Sequence, residues 1–337
     1  MLTLLVTGAA GLIGGEVCAQ AVAAGHRVFA LVRRTKEVRG NDGALVPVAG
    51  VLAGDVTLPG LGLDCVPEGL DCVIHCAAAL EFDAPRDRLD PVNVEGTRNV
   101  ADFAEKTGAR LLHVSTAYVC GTREGTIEEG PVPAGTAFAN NYEASKAAAE
   151  AVVEASTARW CIARPSIVLG DHETGTIRDF PALCNVFRLM ARGAVPVLPV
   201  AESARMDLVP VDYVARSLLA LAEAGEKSEG KHVHIASTDP LPAAVLPQGV
   251  RAFPHFADPI AVEPREFNPA TLTASQRRVT ERMLQTFGGY LTRAPLFDDA
   301  RQRALTGLSC PPTDAAWIMR LIEYGITRGY LPQRTSG

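Results

Sequence analysis

Aromatic side chains make up only 6% of the 337 residues, and only five of the 32 basic residues are lysine. With so few rings, aliphatic side chains must fill the core, as they do in a sheet covered by helices. Runs of like charge are also missing, and the net charge is −6. That gives no footing for nucleic acid or an anionic membrane surface. No apolar stretch approaches the ~20 residues needed to span a bilayer. No basic segment precedes residues 2–6 and glycine begins at Gly8, so a secretory leader is not expected and a cytoplasmic location is. The eight cysteines include no C-x-x-C pair, and most sit in apolar runs. They read as reduced core thiols, neither a disulfide framework nor a metal site.

What is present is an alternation of short apolar runs and helical patterns over the first half of the chain. Residues 2–6, 26–32, 46–53, 71–75, 110–115 and 160–164 read as strands. Residues 11–24, 91–106 and 140–156 read as helices, the first with Ile13, Val17, Ala21 and Ala24 along one face. Strands apolar throughout, each followed by a helix, predict a parallel sheet covered on both sides: the doubly wound α/β, or Rossmann, architecture. Beyond Arg164 the chain turns rich in Gly, Pro and Arg. Helices are expected near 183–191, 211–224, 271–286 and 313–325, the last capped by Thr313, and a short strand at 232–236. The expected division is a nucleotide-binding core over 1–165, a mixed region over 166–240 adding the last sheet elements and part of a substrate pocket, and a smaller, mostly helical substrate-covering region over 241–337.

The first strand runs into Thr7-Gly8-Ala9-Ala10-Gly11-Leu12-Ile13-Gly14. Gly8 suits a tight turn, Gly11 lets backbone approach a pyrophosphate, and Gly14 lets helix and strand pack closely. The helix that follows offers free N–H groups to phosphate. Between an opening strand and a helix, this spacing is a strong sign of a dinucleotide cofactor. The second strand ends in Arg33-Arg34, where an NAD site places an acid on the ribose 2′-hydroxyl. A guanidinium there suits a 2′-phosphate, favouring NADP(H) over NAD(H). Asp55, followed by Val56, suits an adenine amino group or a plain turn. Cys76-Ala77-Ala78 are small where a dinucleotide crosses the fourth strand end, and His75 reads as structural.

Tyr142 and Lys146 stand four apart on a predicted helix and so share a face. Six tyrosines and five lysines in this chain give only roughly 0.1 accidental pairs at that spacing. An ammonium beside a phenol favours the phenolate, which equips the pair for acid–base work at a carbonyl. The pair is also expected to touch cofactor. At the end of the fifth strand, Ser115 and Thr116 each offer a hydroxyl to a developing oxyanion; spacing alone does not choose between them.

Together, T-G-x-x-G-x-x-G, the Ser/Thr pair and Tyr-x-x-x-Lys resemble the extended short-chain dehydrogenase/reductases over residues 1 to about 240. The resemblance assigns the catalytic hydroxyl to Thr116, counted back from Gly121, and adds Pro165, Ser166 and Ile167 to the cofactor contacts. His113-Val-Ser-Thr-Ala-Tyr-Val, Asn141-Tyr142-x-x-Ser-Lys146-x-x-x-Glu150 and Arg164-Pro165-Ser166-Ile167-Val168-x-Gly170 are similar to the acyl-thioester reductase branch. That branch holds fatty acyl-CoA reductases and terminal reductase domains of peptide and polyketide assembly lines. It implies NADPH-dependent reduction of an acyl thioester, on CoA or a carrier protein, to an aldehyde, or with a second hydride to an alcohol, with 174–205 lining the acyl entry. Arg188, Arg192 and Arg205 then become candidates for a pantetheine phosphate, solvated arginines being the plainer reading. A homodimer is one candidate assembly. The alternatives are an aldehyde or ketone reductase, an alcohol dehydrogenase, a nucleotide-sugar epimerase or dehydratase using the same triad, and a non-enzymatic cofactor sensor.

Overall fold

The computed structural model describes residues 1–82 and 84–333. Its centre is a seven-stranded, all-parallel sheet made of β1 (Thr3–Thr7), β2 (Arg27–Val32), β3 (Gly50–Ala53), β4 (Cys72–His75), β5 (Arg110–Val114), β6 (Trp160–Pro165) and β7 (Lys231–Ile235). The spatial order is β3-β2-β1-β4-β5-β6-β7. This is the doubly wound α/β architecture. The order reverses between β1 and β4, so a crevice opens beyond their C-terminal ends.

Alternate residues explain why the strands are apolar throughout. Leu4 and Val6 face a cluster with Val28, Ile74, Val233 and two helices, α1 (Leu12–Ala23) and a later helix spanning Val211–Glu223. Leu5 faces the opposite side with Phe29, Val73, Leu111 and Ile162. That side is covered by α2 (Gly96–Thr107) and by α3 (Asn141–Glu154) through Val153. A third cluster joins helix α4 (Ala182–Ala191) to residues 195–208, 243–256 and the C-terminal helices α6 (Ala274–Phe287) and α7 (Ala315–Thr327), the Val211–Glu223 helix being α5. At ~25 cal/mol per Å² of apolar surface removed from water, such clusters carry most of the favourable folding energy.

The local differences from expectation have physical causes. Ala24 is exposed, because α1 ends at Ala23 and the chain turns at Gly25 with φ +81°. The cap of α7 is Asp314, whose carboxylate accepts from Trp317 N at 2.9 Å, while Thr313 bonds Ser237 instead. The helix expected at 91–106 begins earlier. Arg86–Asp90, Pro91–Glu95 and α2 run on as one helix, with a wide i→i+5 turn over Pro91–Glu95. Pro91 has no N–H to give a regular turn, and the extra residue absorbs that loss.

Candidate active site

A cavity of about 610 Å³ opens at the crevice. One end is floored by Gly8, Gly11, Leu12, Ile13 and Gly14. Gly8 takes φ +66°, and a Cβ there would lie 2.6 Å from Ala77 N. A Cβ on Gly14 would strike the Gly8 carbonyl. Only glycine fits at either place, so backbone, not side chain, forms this floor. Gly11 is the N-cap of α1 and brings no side chain to its first turn, leaving those N–H groups for an anion. Arg33, Arg34, Asp55, Val56, Cys76, Ala77 and Ala78 line the same end, and Pro165, Ser166 and Ile167 close it below. Arg33 and Arg34 are exposed and, among the described residues, make no side-chain hydrogen bond or ion pair. Asp55 lines the wall, but one of its oxygens is taken by Thr57 N and Thr57 Oγ1, so it is also the turn residue. Thr7 lies beneath the lining. Its Oγ1 meets His75 Nδ1 at 2.7 Å, and His75 Nε2 meets Thr97 Oγ1 at 3.1 Å. Burial, with Lys146 adding, holds His75 down to about 3, which keeps it neutral.

Tyr142, Ser115 and Thr116 line the middle of the cavity. Asn140 caps α3, its side chain accepting from Glu143 N at 2.9 Å, and so fixes the turn that carries Tyr142. Thr116 Oγ1 accepts from Tyr118 N at 3.3 Å, which leaves its proton to give. Ser115 Oγ is buried and, among the described residues, unpartnered. Such an atom is costly unless a ligand satisfies it. Both hydroxyls therefore fit a bound molecule.

The tyrosine–lysine pair differs from expectation. Lys146 is buried and outside the cavity lining, donating to Val114 O at 2.8 Å and lying 3.4 Å from His113 Nε2. Burial lowers its ammonium to about 8, partly offset by Glu150 and Cys76. Burial pushes the Tyr142 hydroxyl up, and Glu143 adds to that. In this state Tyr142 holds its proton firmly, as a proton donor rather than a phenolate.

Two supports of the site escaped the sequence reading. Asn93, in the wide turn, accepts from Ala79 N at 2.7 Å and donates to Ala79 O at 3.1 Å and Ser145 Oγ at 2.8 Å. Ser145 in turn donates to Tyr142 O at 2.8 Å. Asn93 thus ties the loop after β4 to the turn bearing Tyr142; a proline inside a helical pattern was its only signal. Second, Arg164 meets both oxygens of the buried Glu150, at 2.9 and 2.7 Å, and clamps α3 to β6. That pairing also engages the one place where Glu150, Glu154 and His232 approach one another. The far end of the cavity is built by Leu183 and Val186, within the 174–205 stretch expected to line the acyl entry, together with side chains from distant segments, among them Phe82, Met206, Phe287 and Tyr290. Arg188, Arg192 and Arg205 are absent from the lining. Arg188 bonds Asn185 and lies over Tyr330, and Arg205 bonds the carbonyls of Glu202 and Ala204.

A glycine floor at the sheet's reversal point, with a Ser/Thr pair and Tyr-x-x-x-Lys above it, defines an NAD(P)-dependent oxidoreductase of the extended short-chain dehydrogenase/reductase type. Within that class, the model of the male sterility protein family matches residues 48–218, and the chain belongs to that family. The dTDP-4-dehydrorhamnose reductase of Mycobacterium tuberculosis (strain H37Rv) is 31% identical over 239 residues, covering 69% of each chain. The fatty acyl-CoA reductase wat of Drosophila melanogaster is 28% identical over 211 residues, covering 51% of this chain and 40% of the fly protein. In structure, the terminal R domain from the myxalamid PKS-NRPS biosynthetic pathway superposes with a TM-score of 0.84 at 25% identity, covering 99% of this chain and 93% of that one.

Proposed function

We propose that the protein reduces an acyl thioester, carried on CoA or a carrier protein, to an aldehyde with NADPH. The carrying observation is the charge distribution in the cavity. Among the described residues, its charged lining residues are Arg33, Arg34 and Asp55, all at the glycine end. A nucleotide-sugar substrate would bring its own diphosphate and would need cations at the far end. Leu80, Phe82, Leu183, Val186 and Met206 offer an apolar chain a dry slot instead. The likeness to the R domain and to a fatty acyl-CoA reductase points the same way. A free Arg33–Arg34 pair favours a 2′-phosphorylated dinucleotide.

When bound, the dinucleotide supplies a hydride to the thioester carbon. Thr116 and Tyr142 hold the carbonyl oxygen as it gains negative charge, and Tyr142, kept protonated by burial, gives it a proton. Lys146, charged at neutral pH, holds the Val114 carbonyl and the local field in place. The hemithioacetal then loses its proton from oxygen, re-forms the carbonyl and expels the thiol. The aldehyde and free thiol together account for the hydride and the proton consumed.

The test is NADPH oxidation with decanoyl-CoA, decanal and a 4-keto nucleotide sugar, with free thiol measured in parallel. Stoichiometric thiol release from decanoyl-CoA is expected. Turnover of decanal without any thioester would replace the proposal with a plain carbonyl reductase. Turnover of the nucleotide sugar alone would overturn the apolar reading.

A further inference from the structure

Residue 143, next to the catalytic tyrosine, is a glutamate buried to 0% exposure. A carboxylate in that position needs partners, and all of them are supplied. Tyr290 OH donates to Glu143 Oε1 at 2.9 Å, Arg293 Nη2 lies 3.5 Å from the same oxygen, and Ala139 N donates to Oε2 at 2.9 Å. Asn140 Nδ2, from the cap of α3, donates to Tyr290 OH at 3.1 Å. Arg293 also donates from Nε to Gly289 O at 2.6 Å and from Nη1 to Gly121 O, and its guanidinium lies over the rings of Tyr290 and Tyr118. Tyr290 and Arg293 lie outside the 48–218 span that matches the family model.

The segment held this way is a wall of the substrate slot. Phe287, Tyr290 and Leu291 all line the cavity. Phe82 packs between this wall and the catalytic residue, with ring centroids 5.3 Å from Tyr142, 5.9 Å from Phe287 and 6.4 Å from Tyr290. The slot's width beside Tyr142 is thereby tied to one buried carboxylate on the catalytic helix.

We propose that Glu143, Tyr290 and Arg293 are positioning residues that set acyl-chain selectivity, by latching the 287–291 wall onto the first turn of α3. This rests on the acyl reading above. A network that served folding alone would affect short and long chains equally. A network that sets the wall would affect only chains long enough to reach it.

The experiment measures Kd by calorimetry for the decanoyl and acetyl thioesters of N-acetylcysteamine, on the NADP-loaded protein, so that binding is read without turnover. In Tyr290→Phe, which leaves both charges paired, the preference for decanoyl over acetyl should fall on the order of tenfold. NADPH affinity should stay within about twofold, since the latch does not touch the glycine floor. Arg293→Lys, which keeps the charge but loses the fork, should fall between wild type and Tyr290→Phe. An unchanged decanoyl-to-acetyl ratio in both variants overturns the latch. A parallel loss of NADPH and thioester binding does so too, by showing a folding role. Intact binding selectivity without thiol release would sink the thioester chemistry while leaving the latch standing.

Discussion

The two ends of the cavity are made of different material. At the glycine end, backbone and small side chains from the exits of β1 and β4 do the shaping, with residues 8, 10–14 and 76–78 in the lining. At the far end, large apolar side chains do it, drawn from segments around 80, 183, 206, 246 and 287. The first end depends on backbone conformations that one residue type allows. The second depends on bulk that several residue types can provide. The glycine end therefore has little freedom to vary, whereas the far end can be reshaped for a new substrate while the chemistry between them is kept. The match to both a sugar reductase and an acyl reductase fits that asymmetry.

The strongest way to break the comparison is to attack the point where the two ends meet. Tyr142→Phe should lower kcat on the order of 10³-fold, with NADPH and thioester affinities within a few-fold of wild type, because a lost proton donor costs that much. Single-turnover NADPH oxidation checks this, and retention of a tenth of the rate would remove Tyr142 from the chemistry. Gly8→Ala comes next. The strained φ and the clash with Ala77 should weaken NADPH binding on the order of 100-fold. A Leu183→Ala variant at the far end should leave that Kd alone; equal loss from both would erase the distinction between the ends. Replacing Arg33 and Arg34 together by Ala should weaken NADPH by roughly 10- to 100-fold with little change for NADH. Equal effects on both dinucleotides would show that the two arginines do not read the 2′-phosphate.

Smaller effects separate the sheet from the C-terminal cover. His75 and His234, on β4 and β7, are both held down to about 3 by burial, with Lys146 adding to the first and Arg164 to the second. Their ordinary value is 6.5. Below it the unfolded chain takes up protons that the folded sheet refuses. Their contribution to stability is therefore full above 6.5 and is lost as pH falls toward 3, while the buried Asp207, pushed up to about 7, works in the opposite sense over the same window. Melting curves across that window should show a steeper fall in Tm for the wild type than for His234→Gln, and equal slopes would contradict a neutral, buried His234. In the cover, Asp314→Ala should cost about 1 kcal/mol by denaturant titration, and Thr313→Ala less. The reverse order would restore Thr313 as the cap.

Much of the glycine end was legible because its requirements are local. Thr7 through Gly14 carry their spacing in one stretch, and the unbroken apolar strands announced a sheet covered on both sides. Tyr142 and Lys146 were legible as a pair for the same reason, one helical turn apart. Their environment was not. Lys146 points to a carbonyl on β5, and Tyr142 is shifted up rather than down, because both effects come from burial by elements far away in sequence. The Glu143–Tyr290 contact spans 147 residues, and no periodicity records such a pairing. The 174–205 side of the far end was expected through the family resemblance, but the wall formed by Phe82, Phe287 and Tyr290 was hidden, since an apolar residue in a slot looks the same in sequence as one in a core.

The wide turn at Pro91–Glu95 has a consequence for how this chain can change length. A regular helix would use one residue fewer there. Deleting a residue from 91–95 would restore the regular winding and leave the flanking turns nearly in register, since five residues at the wide winding sweep about the same angle as four in a regular helix, but it would re-aim the side chains within the turn. Asn93 would lose its grip on Ala79 and Ser145, or the helix would have to unwind to keep it. Point substitutions along 86–107 are thus judged one side chain at a time, but a single-codon deletion there is judged by the whole active site.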